Sequence, residues 1–130
     1  MIVADTDVLI DYLRGAEPMA KRVAFELAKG FIATTAVNAF ELQAGAHGPR
    51  QKLAVDDLLG ALHILPLGRD VARRAGALHR DLSARGTAFG FADSLIAAIC
   101  IEENGMLLTR NRPHFERVEG LKLSHGSADE

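Results

Sequence analysis

Met1-Ile2-Val3-Ala4-Asp5-Thr6-Asp7 opens the chain with four apolar residues followed at once by three polar ones. Four apolar side chains in a row, with no polar alternation, suit a strand covered on both faces, the condition of a parallel sheet flanked by helices. The spacing then turns helical, with Leu9, Ile10 and Leu13 on one side and Arg14-Gly15 as the stop. A strand feeding straight into a helix begins an α/β unit, and in open sheets of that kind the active crevice lies beyond the carboxyl ends of the strands. Asp5 holds that address by position alone.

Working outward, Glu17-Pro18 opens a second helix, in which Ala20, Val23, Ala24, Leu27 and Ala28 recur at helical spacing up to Gly30. Phe31 to Val37 is apolar and β-branched and reads as a second strand; Asn38 reads as the cap of the helix carrying Phe40, Glu41, Leu42 and Gln43. Gly48-Pro49 is a break, Gln51 to Leu59 a helix, and His63 to Leu67 a third short strand weakened by Pro66. From Arg69 to Arg85 a helix presents Val71, Ala75, Leu78 and Leu82 on one face and solvated charges, Arg73, Arg74, Arg80 and Asp81, on the other. Gly86 to Gly90 is a loop.

The helix from Phe91 to Cys100 is apolar nearly all round after Ser94 and belongs inside the fold. Asn104-Gly105 ends it, Met106 to Thr109 forms a fourth strand, and Arg110 to Pro113 a loop. Phe115 to Val118 is a short turn or helix and Leu121 to Leu123 a last edge strand. This order predicts helices on both faces of a mostly parallel sheet of four to five strands, a three-layer α/β/α architecture. Residues 1–130 are read as one domain with a frayed tail over 124–130.

Composition narrows the classes. At 130 residues, 48% hydrophobic and 25% charged, the chain supports one core without disulfide or metal. No apolar run approaches the roughly 18 residues of a spanning helix, and no basic segment leads into one, so a cytoplasmic protein without membrane contact is expected. Cys100, between Ile99 and Ile101, reads as buried and not as a catalytic thiol. A net charge of -2 supplies no global basic field, so any nucleic-acid role needs a local patch. No histidine pair has zinc spacing. Phe25, Phe31, Phe40, Phe89, Phe91 and Phe115 are expected mostly in the core, which leaves no base-stacking platform.

Four polar positions share one structural address. Asp5 ends the first strand, Glu41 opens the helix after the second, Asp93 opens the buried helix, and Asn111 follows the fourth strand. Three carboxylates brought together repel one another and raise their own pKa values unless a cation joins them. Mg²⁺ or Mn²⁺ prefers oxygen ligands and suits this set better than zinc or copper, and such a site supports phosphodiester hydrolysis.

The blocks Val3-Ala4-Asp5-Thr6-Asp7-Val8-Leu9, Thr35-Ala36-Val37-Asn38-Ala39-Phe40-Glu41-Leu42, Ala92-Asp93-Ser94-Leu95-Ile96-Ala97-Ala98 and Leu107-Leu108-Thr109-Arg110-Asn111 with His114-Phe115, in that order, resemble a PIN domain. More narrowly they are similar to the VapC toxins of bacterial toxin-antitoxin pairs. The resemblance covers essentially the whole chain. It implies a Mg²⁺- or Mn²⁺-dependent endoribonuclease acting on RNA of the tRNA or rRNA class, inhibited by a VapB antitoxin, homodimeric and able to form larger assemblies with that antitoxin. It further implies that Asp5, Glu41 and Asp93 hold the metal, with Asn111 as the fourth catalytic position. Asparagine there, where aspartate is common, removes a charge and weakens the case for a second stable ion.

Each residue also has a plainer reading. Asp5 can cap the helix that follows, and Asp7 complements its dipole. Thr6 donates within the site or shapes the turn. Ser94 reads as a cap or a supporting hydrogen-bond donor, because no histidine stands in a recognisable relation to it. Thr109 supports the site. Arg110, Arg112, His114 and Arg117 form either an ordinary charged loop or a group that receives substrate phosphates or an antitoxin's tail. The Asp5-x-Asp7 pattern alone also resembles haloacid-dehalogenase phosphatases with Asp5 as nucleophile, though no lysine follows a later strand in a suitable place and no paired-aspartate motif stands late in the chain. A non-catalytic PIN-like module that binds RNA or a partner is the other alternative.

Overall fold

The computed structural model describes residues 1–125. Its elements are β1 (Ile2–Ala4), α1 (Thr6–Arg14), α2 (Met19–Lys29), β2 (Ile32–Thr35), α3 (Ala36–Gly45) and α4 (Gly48–Gly60), then β3 (His63–Leu65), α5 (Arg69–Ala84), α6 (Phe91–Glu102), β4 (Met106–Leu108), α7 (Arg112–Phe115) and β5 (Lys122–Leu123). The strands lie in the order β3-β2-β1-β4-β5 and every pairing is parallel. The chain steps outward from β1 to β2 and β3, then returns to the other side of β1 with β4. The reversal falls between β1 and β4, and such a switch point opens a crevice at the strand ends.

Strand alternation divides the core into two. Val3, Ala33 and Leu107 face α5 and α6, packing with Ala75, Leu82, Ile96 and Ile99. Ala4, Ile32 and Leu108 face the other side, with Val8 and Leu9 of α1, Val23 of α2, Leu42 of α3 and Val55 and Leu58 of α4. The expected α/β/α layering is present. Gly105 is required where α6 turns into β4, because a Cβ there would sit 2.6 Å from Val3 Cγ2.

Several boundaries differ from the sequence reading, each for a local reason. β2 ends at Thr35, not Val37, and Thr35 is the N-cap of α3 in place of Asn38, which sits at the third position and closes a capping box with it. α4 begins at Gly48, since Pro49 is tolerated in a first helical turn. The short helix before β5 covers Arg112–Phe115, not Phe115 to Val118, again with proline near its start. Ser124 is not frayed. It is 1% exposed, its N–H donates to Leu107 O and its hydroxyl accepts from Arg22 Nη2, while Arg112 Nη1 donates to its carbonyl. His125 O accepts from Arg22 Nη1 at 2.5 Å, and the remainder of the expected tail, 126–130, lies outside the described residues.

The largest correction concerns the aromatics. Only Phe89 and Phe115 are buried; Phe25, Phe31, Phe40 and Phe91 are exposed, the last two at 70% and 77%. Cys100 is buried as expected, and burial pushes its thiol pKa up to about 12. No helix among the described residues is long and apolar enough to cross a membrane.

Candidate active site

Asp5 stands at the carboxyl end of β1, beside the switch point. Its backbone N–H continues the β1–β4 ladder to Leu108 O, and the residue is 9% exposed. Three donors converge on the carboxylate: Thr6 N–H and Asn38 Nδ2 each at 2.9 Å on Oδ1, and Thr109 Oγ1 at 2.7 Å on Oδ2. The capping role is therefore real, but it uses one of three bonds. Burial nonetheless raises the Asp5 pKa above 3.8, opposed by those hydrogen bonds and reinforced by the negative charge of Asp93.

Asn38 is the residue the sequence reading missed. It is fully buried and saturated: Oδ1 accepts from Thr35 Oγ1 at 2.7 Å and Thr35 N at 3.4 Å, which fixes the amide so that Nδ2 donates to Asp5 and to Thr6 Oγ1, the latter at 2.9 Å. Thr6 in turn donates to Glu41 Oε1 at 2.7 Å. Glu41 is thus tied to Asp5 through Thr6, whose own N–H donates to Asp5, and a second time through Thr6 and Asn38. The only clue in the sequence is an asparagine one helical turn before a candidate acid.

Asp7 does more than complement the dipole of α1. Its Oδ2 accepts from Arg110 N at 3.1 Å and lies 3.3 Å from Thr109 Oγ1, whose one proton is better spent on Asp5. Asp7 Oδ1 is buried with no hydrogen-bond partner. Burial, with the charge of Asp5 next to it, pushes the Asp7 pKa up to about 6.

Asp93 occupies the first turn of α6, and His114 Nε2 lies 2.8 Å from its Oδ2. Ser94 is 2% exposed, donates to Gly90 O at 3.1 Å and lies 3.2 Å from His79 Nδ1. A histidine does stand next to this serine, contrary to expectation, but the buried hydroxyl already has a donor and an acceptor and remains a support. Asn111 backbone N donates to Thr109 Oγ1 at 3.1 Å, while its exposed side chain makes no hydrogen bond to the carboxylates. The basic group disperses: Arg110 pairs with Asp11 at 3.0 Å, His114 reaches Asp93, and Arg112 turns away to the carbonyl of Ser124 after β5, so it is not placed for substrate phosphates.

The carboxyl end of β1 thus carries Asp5 and Asp7, Glu41 is tied to it through Thr6, and Asp93 is near enough for its charge to act on Asp5. Among the described residues no three His, Cys, Asp or Glu side chains stand close enough to enclose an ion. The donors are nonetheless all oxygen. One carboxylate oxygen is orphaned in the interior and two aspartates are protonated more readily than usual, a frustration that a cation relieves. An ion that keeps several waters and needs only one or two carboxylates fits this open set; an ion demanding a closed cage does not.

The sequence matches the PIN domain family over residues 2–121. The chain belongs to the PIN-domain family. Its relatives include ribonuclease VapC10 of Mycobacterium tuberculosis, 33% identical over 94% of this chain and 91% of that protein. Ribonuclease VapC1 of Methanocaldococcus jannaschii is 32% identical over 94% and 85% respectively. Among solved structures, the VapBC2 complex of Rickettsia felis bound to a DNA fragment from its promoter matches with TM-score 0.80 at 25% identity, covering 95% of this chain and 98% of that one. The fold is likewise that of DNA-bound VapBC from Salmonella typhimurium, TM-score 0.83 at 22% identity over 97% and 98%. The PIN assignment leaves the haloacid-dehalogenase alternative without support.

Proposed function

We propose that this PIN domain is the VapC toxin of a VapBC pair, a cytoplasmic endoribonuclease dependent on Mg²⁺ or Mn²⁺. The observation that carries the proposal is the buried, triply hydrogen-bonded Asp5 at the switch point, with the charge of Asp93 acting on it and Glu41 linked through Thr6. Asp5 and Asp93 would hold the ion, with Glu41 and Asp7 completing the negative field. When bound, a divalent ion supplies charge neutralisation and an activated water at a phosphodiester. The chain's own part is to fix the acids: Thr109, Asn38 and Thr6 lock Asp5, and Thr6 orients Glu41.

The substrate is read as RNA of the tRNA or rRNA class, in keeping with a Shigella flexneri relative, 28% identical, named as a tRNA(fMet)-specific endonuclease. The inhibitor is a VapB protein, as in the VapBC structures that share this fold. A groove of about 320 Å³ suits it: Ile10, Leu42 and Val55 line an apolar wall, Arg14 and Arg50 also line it, and it reaches Glu41. A second hollow of about 360 Å³ is lined by Val37, Phe40, Leu67, Ala92 and Leu95. Exposed Phe40 in this hollow, with exposed Phe91 next in sequence to its lining residue Ala92, supports a homodimer packed there.

Protein freed of antitoxin should cleave RNA with Mg²⁺ or Mn²⁺ and stop on addition of chelator. A folded sample that binds RNA and never cuts it would overturn the nuclease reading in favour of a binding module.

A further inference from the structure

His114 was grouped by sequence with its basic neighbours, yet its surroundings set it apart. Its ring stacks on Phe89 at 4.4 Å between centroids and 16° between planes, and meets Phe115 edge-on at 5.2 Å and 80°. Phe89 and Phe115 are themselves in edge contact at 5.8 Å. They are the two buried phenylalanines of the chain, so the imidazole is held by rigid aromatic walls. Its backbone N–H donates to Asn111 O, seating α7 directly after the loop that carries Asn111. From this fixed seat Nε2 reaches Asp93 Oδ2 at 2.8 Å.

The consequence falls on Asp93. Its side chain is 36% exposed and stands at the first turn of a helix whose N-cap, Gly90, offers no side-chain bond, so nothing on α6 itself fixes the carboxylate. The bond to His114 selects one orientation. Oδ2 is engaged, and no protein donor among the described residues reaches Oδ1. Neutral imidazole supplies the required Nε2–H in one tautomer, so the bond needs no charge.

We propose that His114 is a positioning residue. It clamps one oxygen of Asp93 across from the Phe89–Phe115 pair and leaves the other oxygen aimed for a divalent cation. This inference rests on the metal-dependent reading of the site and identifies an element of that site the charged-loop reading overlooked. Supporting hydrogen bonds to metal-holding groups commonly change affinity about 10- to 100-fold when removed.

The test is Mn²⁺ binding to the full, antitoxin-free chain, followed by electron paramagnetic resonance, with thermal melts as a check on folding. Two variants separate hydrogen bond from packing. H114F keeps an aromatic ring against Phe89 and Phe115 but lacks the donor, and is expected to weaken Mn²⁺ binding about 10- to 100-fold. H114Q places an amide near the position of Nε2 and is expected to retain most of the affinity. In a D93N background H114F should have no further effect. Parental affinity in folded H114F, or an equal loss in the D93N background, overturns the proposal while leaving the nuclease reading intact. Failure of the parent chain to bind Mn²⁺ at all overturns both.

Discussion

Asn38 Nδ2 donates to Asp5 Oδ1 across 2.9 Å, and this one bond joins the helix after β2 to the end of β1. It ties the geometry of the acidic rim to a capping box, because the same amide's oxygen is occupied by Thr35. Asn38→Ala strips a buried carboxylate of one of its donors and is expected to destabilise the fold by about 1–3 kcal/mol in urea unfolding. Asn38→Asp places a second acid against Asp5 and should be worse at pH 7 than at pH 4. Equal stability of both variants with the parent would show that the network contributes nothing.

Asp5→Asn and Asp93→Asn should abolish toxicity on expression and slow RNA cleavage by about 10²-fold or more, on the scale seen when electrostatic stabilisation of a transition state is removed. Circular dichroism should show an unchanged fold. A variant as toxic as the parent removes that residue from the proposed site.

Asp7 predicts a pH dependence of unusual sign. Its folded pKa of about 6 lies above 3.8, so the folded chain binds this proton more tightly than the unfolded chain. Its contribution to stability is full below about pH 4 and is lost as pH rises through 6. A fully enclosed carboxyl raised this far would lose on the order of 3 kcal/mol; Asp7 is only partly enclosed, and solvent screening brings the loss to about 1–2 kcal/mol. Melting the parent and Asp7→Asn side by side in chelator, the difference between them should change over this window, and saturating Mg²⁺ should shrink it. A difference constant with pH would refute the burial argument.

Phe40 and Phe91 should hold two copies together. Phe40→Glu with Phe91→Glu is expected to convert a dimer to a monomer in light scattering, since burying two unpaired carboxylates in an apolar contact is strongly unfavourable. A parent chain that is already monomeric at micromolar concentration would contradict the dimer.

Arg14→Glu with Arg50→Glu reverses the charge of the groove that reaches Glu41. Binding of the co-encoded antitoxin, followed by calorimetry, should weaken at least about tenfold. RNA cleavage by the free toxin should persist. Unchanged antitoxin affinity would place the inhibitor elsewhere.

Much of this was legible in the residues. The apolar run ending at Asp5 located the first strand and its acid, because a strand buried on both faces carries its pattern openly. The apolar run from Ile96 to Cys100 announced its own burial in the same way. Asn38 was misread because asparagine favours N-caps and the Thr34-Thr35-Ala36-Val37 run does not mark where strand gives way to helix; shifting the boundary by two residues turned a cap into a buried donor. The phenylalanines misled for another reason. Sequence pattern records affinity for apolar surroundings but not whether this chain or another supplies them, and Phe40 and Phe91 face outward. Long basic side chains are least legible of all, as Arg110 and Arg112 are two residues apart yet reach Asp11 and Ser124.

The bond from Thr109 to Asp5 spans nearly the whole length of the polypeptide. During synthesis the first acid therefore emerges from the ribosome long before the hydroxyl that steadies it, and β4 joins the sheet only near the end. Until β4 has been made the acidic rim stays incomplete, because Asp5 lacks the hydroxyl on Oδ2 and β1 lacks its partner on that side.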